Sequence, residues 1–265
     1  MQKERAMREP FAQTNLQLYT QLRRAGYTAD QLAIVRSGYD LAIRLFSASF
    51  RGSGKPLLAH LIGTASILEH VAQSPVIVTA GLLHAAYALG DFGDGRFGIT
   101  PAKRERVRSA VGAEIEQLVE RYTNFDWNKN TIPAIRQRVG SLSQLERDVL
   151  VIRLANELED HLDYGVLYCG NGEQRREYIR SPLNQSVDMA KGLGLVSLAE
   201  ELERAFADTL REEIPAGLRN PHDYTYVQPP ASHSPRVSVA ARQFLDDRPR
   251  LARAVHPLVS LVTSR

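Results

Sequence analysis

Apolar residues recur every three or four positions through most of residues 12–210, the spacing that places them on one face of an α-helix. The stretches 30–46, 57–71, 101–122 and 142–162 show this spacing most clearly. No stretch alternates apolar and polar residues for long enough to predict a β-strand. The pattern therefore predicts an all-α body of seven or eight helices.

Glycine and proline residues mark where these helices begin and end. Pro56, Pro75 and Pro101 each stand at the start of a helical stretch, and proline is well suited to the first turn of a helix. Gly26 is expected to end the first helix, and Asp30 is expected to cap the second.

The stretch 76–88 is almost wholly apolar, which predicts a helix that is buried on every side. His84 is the one histidine in this stretch. A loop with four glycines follows at 90–98, and it carries Asp91 and Asp94. A histidine on a buried helix is either a hydrogen-bonded core residue or part of a functional site, so His84 is a candidate for both.

The composition changes after Ile214. Five prolines fall within residues 215–235, a pattern typical of an extended segment. We therefore predict one helical domain over residues 12–210 and a Pro-rich tail over residues 211–265. Within the tail, one or two short helices are predicted over residues 237–262.

Composition narrows the class of protein. The 43% of hydrophobic and 24% of charged residues are typical of a globular chain, and a net charge of +3 does not favour a nucleic-acid partner. A single cysteine excludes an internal disulfide framework. Residues 1–10 lack the apolar region of a signal peptide, and no apolar run approaches the ~18 residues of a membrane helix. We expect a cytoplasmic protein without a membrane partner.

Four stretches, and a weaker fifth over residues 188–206, carry a family resemblance. In chain order the four are 51–60 (RGSGKPLLAH), 80–85 (AGLLHA), 111–119 (VGAEIEQLV) and 147–158 (RDVLVIRLANEL). Together they resemble the hydrolase domain of RelA/SpoT-type enzymes, in the HD superfamily of metal-dependent phosphohydrolases. The resemblance implies an HD-type multi-helix bundle. The hydrolase domain of that family binds manganese and removes pyrophosphate from the ribose 3′ position of (p)ppGpp.

The resemblance also implies which residues would form the metal site. His60 and His84 stand at the family's two histidine positions. The two aspartate ligands are replaced by Ala85 and Asn156. The family's catalytic Glu-Asp pair falls on two apolar residues, Ala88 and Leu89. All four carboxylates are therefore absent from their expected positions.

Loss of these carboxylates changes the metal that the site can hold. Manganese is held by carboxylates and imidazoles, whereas His60, His84 and Asn156 form a neutral set that suits zinc or nickel, or no metal. Asp91 and Asp94 can act as replacement ligands, but the favoured interpretation is that they are solvated loop residues. Asn156 can alternatively hydrogen-bond a histidine in a dry core.

The turn at 51–56 is the predicted edge of a ligand pocket. Arg51 stands where the family stacks an arginine on the guanine base, with Ser53 and Lys55 in the same turn. Lys55 replaces an acidic residue and is expected to make the pocket mouth more positive. Asp160, His161 and Asp163 are interpreted as a solvated helix end.

Three functions remain open from the sequence. The first is a degenerate HD-domain protein that binds a nucleotide or other phosphorylated small molecule without hydrolysing (p)ppGpp, and it is the one favoured. The second is a metal-dependent phosphohydrolase with altered ligands. The third is a structural or interaction domain whose pocket is filled by side chains.

Overall fold

The computed structural model describes residues 11–228, and the regular secondary structure within this range is almost entirely helical. The helices are α1 (Asn15–Arg24), α2 (Ala29–Phe46), α3 (Leu57–His70), α4 (Pro75–Leu83), α5 (Ala86–Leu89), α6 (Pro101–Val111), α7 (Ala113–Thr123), α8 (Thr131–Gln137), α9 (Gln144–His161), α10 (Gly172–Arg180), α11 (Ser186–Gly192) and α12 (Val196–Arg211). Shorter 3-10 turns cover Val139–Ser141, Leu162–Tyr168 and Ala216–Leu218. The predicted all-α class is confirmed.

Two helices predicted as continuous are broken, which raises the helix count above the prediction. The stretch 76–88 divides at His84 and Ala85 into α4 and α5. The stretch 101–122 divides at Gly112, whose φ of +93° lies in the region that favours glycine. Apolar spacing continues across both breaks, so periodicity did not reveal them.

Thr28, and not Asp30, caps α2. The hydroxyl of Thr28 accepts a hydrogen bond from the Gln31 N–H, and the Gln31 side chain accepts one from the Thr28 N–H. This reciprocal pair satisfies two backbone donors at once, and it places Asp30 in the first turn of the helix.

Helix α3 lies at the centre of the bundle. It packs against α4 and α9, and α4 packs in turn against α2. Ten of the 14 residues of α3 are buried, so polar side chains on this helix must find partners inside the protein. Helix α9 is buried without interruption from Val149 to its last residue, His161. In the described part of the chain, no helix combines the length and the apolar character needed to cross a membrane.

The chain beyond residue 210 packs on the helical body as far as it is described. Ile214 contacts Val166 and Leu167 in a small apolar cluster. Two short strands, β1 (Ser49–Phe50) and β2 (Tyr226–Val227), then pair in antiparallel register. The predicted helices over residues 237–262 lie outside the described residues.

The start of α9 gives the fold a pH-dependent contribution. Hydrogen bonds from the side chain and backbone of Ser143, together with Arg138, lower the pKa of Glu146 from 4.5 to about 2. A carboxylate with a lowered pKa in the folded state stabilises it fully above its unfolded pKa, and this contribution is lost as the pH falls toward 2.

We expect Glu146→Gln to be less stable than the unmodified protein near neutral pH. This deficit should shrink as the pH falls from about 5 to about 2, because the unmodified protein then loses the contribution that the variant lacks. Urea unfolding of both proteins at several pH values measures the difference. A deficit that stays constant across this range would contradict the assignment.

Candidate functional site

A cavity of about 60 Å³ lies where α3, α7 and α9 meet the break between α4 and α5. We call it the histidine cavity because His60 and His84 both line it. Arg51, Arg153 and Asn156 line it as well. Among the described residues that form its wall there is no aspartate or glutamate. The cavity is thus surrounded by cationic, neutral polar and apolar side chains.

His60 lies on α3 and is fully buried. Its Nδ1 is hydrogen-bonded to Glu159, and its Nε2 lies 3.0 Å from the Asn156 Oδ1. The Asp160 Oδ1 is 3.5 Å from the same Nδ1. Asn156, Glu159 and Asp160 are three and four residues apart on α9, so they share the helix face that meets His60. Both ring nitrogens of His60 therefore have partners on α9.

His84 caps the end of α4, and its ring packs edge-on against that of His60. The two ring centroids are 5.5 Å apart, and the Tyr122 ring lies 5.0 Å from His84. The Nδ1 of His84 is 2.8 Å from the Gly81 carbonyl oxygen, which assigns the proton to Nδ1. Burial and the neighbouring His60 lower the pKa of His84 to about 3, so its imidazole is neutral at physiological pH.

Two cations from the 51–56 turn neutralise the carboxylates near His60. Lys55 forms an ion pair with Glu159, and Arg51 forms one with Asp160. Burial opposes the charge of Arg51, but Asp160 and Glu159 outweigh it and raise the arginine pKa. Lys55, predicted to make the pocket mouth more positive, is paired with Glu159 and lines the second cavity described below.

The end of α9 is buried, so the interpretation of a solvated helix end is wrong for Asp160 and His161. Only 8% of Asp160 and 4% of His161 are exposed. His161 Nδ1 lies 3.2 Å from the Thr209 hydroxyl, and its ring packs edge-on against Phe206 at 4.8 Å. Both partners belong to α12, which covers this end of α9, and local sequence did not indicate that packing.

Other predicted site residues lie away from the histidine cavity. Asp91 accepts a hydrogen bond from the backbone of its own loop, and Asp94 does the same and pairs with Lys103 at 3.3 Å. Both aspartates are exposed, and neither lines the cavity. Ser53 accepts a bond from the Lys55 N–H and lines a second cavity of about 30 Å³. Of the three predicted ligand-binding residues, Arg51 alone lines the histidine cavity.

Arg153 is a cavity residue that no sequence motif indicated as part of the site. It lies on α9, three residues before Asn156, and only 8% of it is exposed. Its guanidinium packs over the Trp127 ring at 5.2 Å and lies 3.4 Å from the Tyr122 hydroxyl. The Glu157 carboxylate is 3.6 Å away, too far for a hydrogen bond. The sequence signal that could have identified Arg153 is its spacing of three residues from Asn156, which places both on one face of α9.

The donor atoms around His60 do not fit a manganese ion. His60, Glu159 and Asp160 can bring ligand atoms within 4.8 Å of one another. Both carboxylates, however, already pair with Lys55 and Arg51, and a bound divalent cation would meet those positive charges. On the cavity side only imidazoles and an amide are available, and a hard cation prefers carboxylate oxygens.

Comparison with known proteins links the chain to two groups. A family described as a domain of unknown function, DUF6817, matches residues 44–127, a segment that holds both cavity histidines. Proteins named GTP pyrophosphokinase from Streptomyces antibioticus and Streptomyces coelicolor are each 27% identical over 173 residues, 64% of this chain and 19% of each relative. A probable GTP pyrophosphokinase from Mycobacterium leprae is 25% identical over 181 residues, 67% of this chain and 21% of the relative.

The chain spans about a fifth of the length of these curated relatives. The match supports a distant similarity to RelA/SpoT-like proteins, whose names include the nucleotide GTP.

Proposed function

We propose that the protein binds a nucleotide or another phosphorylated small molecule in the histidine cavity, without manganese-dependent hydrolysis of (p)ppGpp. The observation that carries this proposal is the composition of the cavity wall. Arg51 and Arg153 line it beside two histidines, and no carboxylate does so among the described residues. Such a wall favours an anionic group over a divalent cation.

The four replaced positions support the same conclusion. Ala85, Ala88, Leu89 and Asn156, where the resemblance implies carboxylates, all line the histidine cavity. Four carboxylates there would give the wall a strong negative charge and attract a metal ion. Alanine, leucine and asparagine leave these positions neutral, so the charged side chains of the described wall are Arg51 and Arg153. Their acidic neighbours, Asp160 and Glu157, lie outside the wall.

Cavity size limits how a ligand is held. About 60 Å³ accommodates a few water molecules or a small group, whereas sites for whole small molecules usually occupy ~300–1,000 Å³. In our proposal one phosphoryl group enters the cavity near Arg153, and the remainder of the ligand lies at the mouth beside Arg51. The half-buried aromatic ring of Phe125, which also lines the cavity, offers a flat surface for a base.

The distant relatives support the nucleotide as ligand class. Each is named for a reaction of GTP, and the matched region covers about two thirds of this chain. A guanine nucleotide is therefore the first ligand to test.

We expect the purified protein to bind GDP, ppGpp or inorganic pyrophosphate in the presence of EDTA. Arg153→Met should weaken that binding about tenfold or more, because a hydrogen bond to a charged group contributes about 1.5–3 kcal/mol. Isothermal titration calorimetry measures both affinities. Arg211→Met is the matched control, since the Arg211 side chain is 76% exposed and does not line the cavity.

Two results would contradict the proposal. One is binding that requires added Mn²⁺, and the other is equal affinity for the unmodified protein and Arg153→Met. Thermal unfolding of both variants should accompany the titration, because Arg153→Met also leaves Glu157 without its neighbouring cation.

A second function, hydrolysis with an altered metal site, has one observation in its favour. The His84 Nδ1 is held by a backbone carbonyl, which is the usual way that a protein orients an imidazole ligand. Elemental analysis of protein purified without a metal-affinity tag tests this alternative. Stoichiometric zinc or nickel would favour it. If neither metal nor nucleotide binds, a structural or interaction role remains.

A further inference from the structure

Residues 219–228, which we call the clasp, lie across the turn that carries Arg51. The Asn220 N–H donates to the Tyr168 carbonyl at 2.7 Å, and the Gln228 N–H donates to the Ala48 carbonyl at 2.9 Å. Between these two bonds, β2 pairs with β1 immediately before Arg51. The clasp therefore joins the start of the 51–56 turn to the chain that follows α9.

Side chains strengthen this attachment. The Tyr226 ring is stacked with the rings of Phe50, at 5.7 Å, and His222, at 3.9 Å. The Tyr226 hydroxyl is 3.3 Å from the Asn220 side-chain nitrogen. Phe50, which immediately precedes the turn, and three residues of the clasp thus form one packed unit.

Gly52 shows how closely the clasp approaches the turn. A Cβ atom at this position would lie 2.8 Å from the His222 carbonyl oxygen and 3.0 Å from Asp223. Backbone atoms cannot move aside as a flexible side chain can, so any side chain at Gly52 would displace the clasp. The close approach of the clasp to the turn therefore requires glycine at position 52, directly after Arg51.

Arg51 is held by the backbone of its own turn and by an ion pair. The Arg51 N–H donates to the Lys55 carbonyl at 2.8 Å, which closes the turn, and the guanidinium pairs with Asp160 on α9. Arg51 also lines both cavities, and Asp223 of the clasp lines the second one. The arginine therefore lies between a turn that the clasp covers and the α9 carboxylate that pairs with its guanidinium.

We infer that the clasp positions Arg51 and that ligand binding in the histidine cavity is coupled to clasp docking. The coupling rests on the proposed function, whereas the positioning of the turn does not. Because coupling between two sites is reciprocal, a ligand that uses Arg51 must also stabilise the docked clasp. In this arrangement the clasp residues are positioning residues, because they affect the ligand only by holding Arg51 in place.

Two variants release the clasp from opposite sides. Gly52→Ala adds a Cβ atom in the turn that collides with the clasp backbone. Tyr226→Ala removes the clasp ring that stacks on Phe50 and leaves the turn sequence unchanged. Gly217→Ala is the matched control, because a Cβ atom there meets no other atom within 4 Å. Hydrogen–deuterium exchange of the full chain reports the amides of both segments, and calorimetry with inorganic pyrophosphate in EDTA reports affinity.

We expect both release variants to exchange faster than the control in residues 219–228 and in the 51–56 turn. Their affinity for pyrophosphate should fall at least about fivefold, the lower end of typical coupling between sites. Pyrophosphate should slow exchange of the clasp in the unmodified protein and should not do so in Arg51→Met. A merely structural clasp would not show this last difference.

The outcomes separate the inference from the proposed function. If Tyr226→Ala frees the clasp while the 51–56 turn stays protected, the clasp does not position Arg51 and the inference is wrong. If the turn loosens but pyrophosphate affinity is unchanged, the coupling is wrong. If the unmodified protein binds neither nucleotide nor pyrophosphate, the proposed function and the coupling fail, and exchange in the turn still decides the positioning role.

Discussion

No appreciable Mn²⁺-dependent hydrolysis of (p)ppGpp is expected from the unmodified protein. Removal of a general acid–base group alone commonly lowers a rate by ~10²–10⁴-fold, and the two positions expected to carry such groups are Ala88 and Leu89. Two further carboxylates, those expected to hold the metal, are replaced by Ala85 and Asn156. Weak metal binding multiplies the loss, so turnover should fall below detection.

Restoring the carboxylates in two steps separates metal binding from catalysis. Ala85→Asp with Asn156→Asp should raise Mn²⁺ affinity first, because all four replaced positions face the same cavity. Activity should remain low until Ala88→Glu and Leu89→Asp are added to those two changes. A (p)ppGpp turnover assay at fixed Mn²⁺ measures activity, and calorimetric titration measures Mn²⁺ affinity. Both are applied to the unmodified protein, the double variant and the variant with all four changes.

Thermal unfolding of each variant is the necessary control, because the new carboxylates enter a largely buried wall. Robust turnover by the unmodified chain would refute the proposal of a degenerate site. Asp91→Ala and Asp94→Ala would then be the next variants, since these loop carboxylates are the remaining candidates for displaced ligands.

Glu159→Gln should destabilise the protein by about 3 kcal/mol, because it leaves a lysine and a buried histidine without their carboxylate partner. The Glu159 side chain is 1% exposed, and it pairs with both Lys55 and His60. Loss of one partner from a buried ion pair usually costs ~3–5 kcal/mol, and the lower end applies because Lys55 is 24% exposed and can turn toward water. Urea denaturation measures the change in unfolding free energy.

Glu173→Gln is the matched control for this substitution. Its side chain is 64% exposed, and its contacts with Arg176 and Arg219 are 3.6 Å long, so the change should cost less than about 1 kcal/mol. Combining Glu159→Gln with Lys55→Met should cost less than the sum of the two single changes, since both remove the same ion pair. Equal costs for Glu159→Gln and Glu173→Gln would contradict the importance of the buried network.

Helical structure was predictable because it follows from local spacing. The apolar period of α2, α3 and α9 appears in the sequence itself, and prolines marked the starts of α3, α4 and α6. The breaks at His84 and Gly112 were missed because apolar residues continue on both sides of each. Local patterns report which side chains are apolar, whereas a break depends on how the next helix packs.

The candidate site was only partly predictable. Motif order was enough to select His60, His84 and Asn156, and all three line one cavity. It did not reveal Glu159, which lies three residues beyond Asn156 on the same helix face, or Arg153, which lies three residues before it. Helical geometry placed both near the site, but burial was needed to show that they belong to it.

By itself, the sequence determined that the described part of the chain is helical. The resemblance, read from the same sequence, predicted which residues stand at the motif positions and that four expected carboxylates are absent there. Tertiary structure alone decided which charges cancel. Lys55 meets Glu159 across 104 residues of sequence, and Arg51 meets Asp160 across 109. It also decided that the clasp docks beside Arg51, because such contacts arise from the packing of distant segments and leave no periodic signal in the chain.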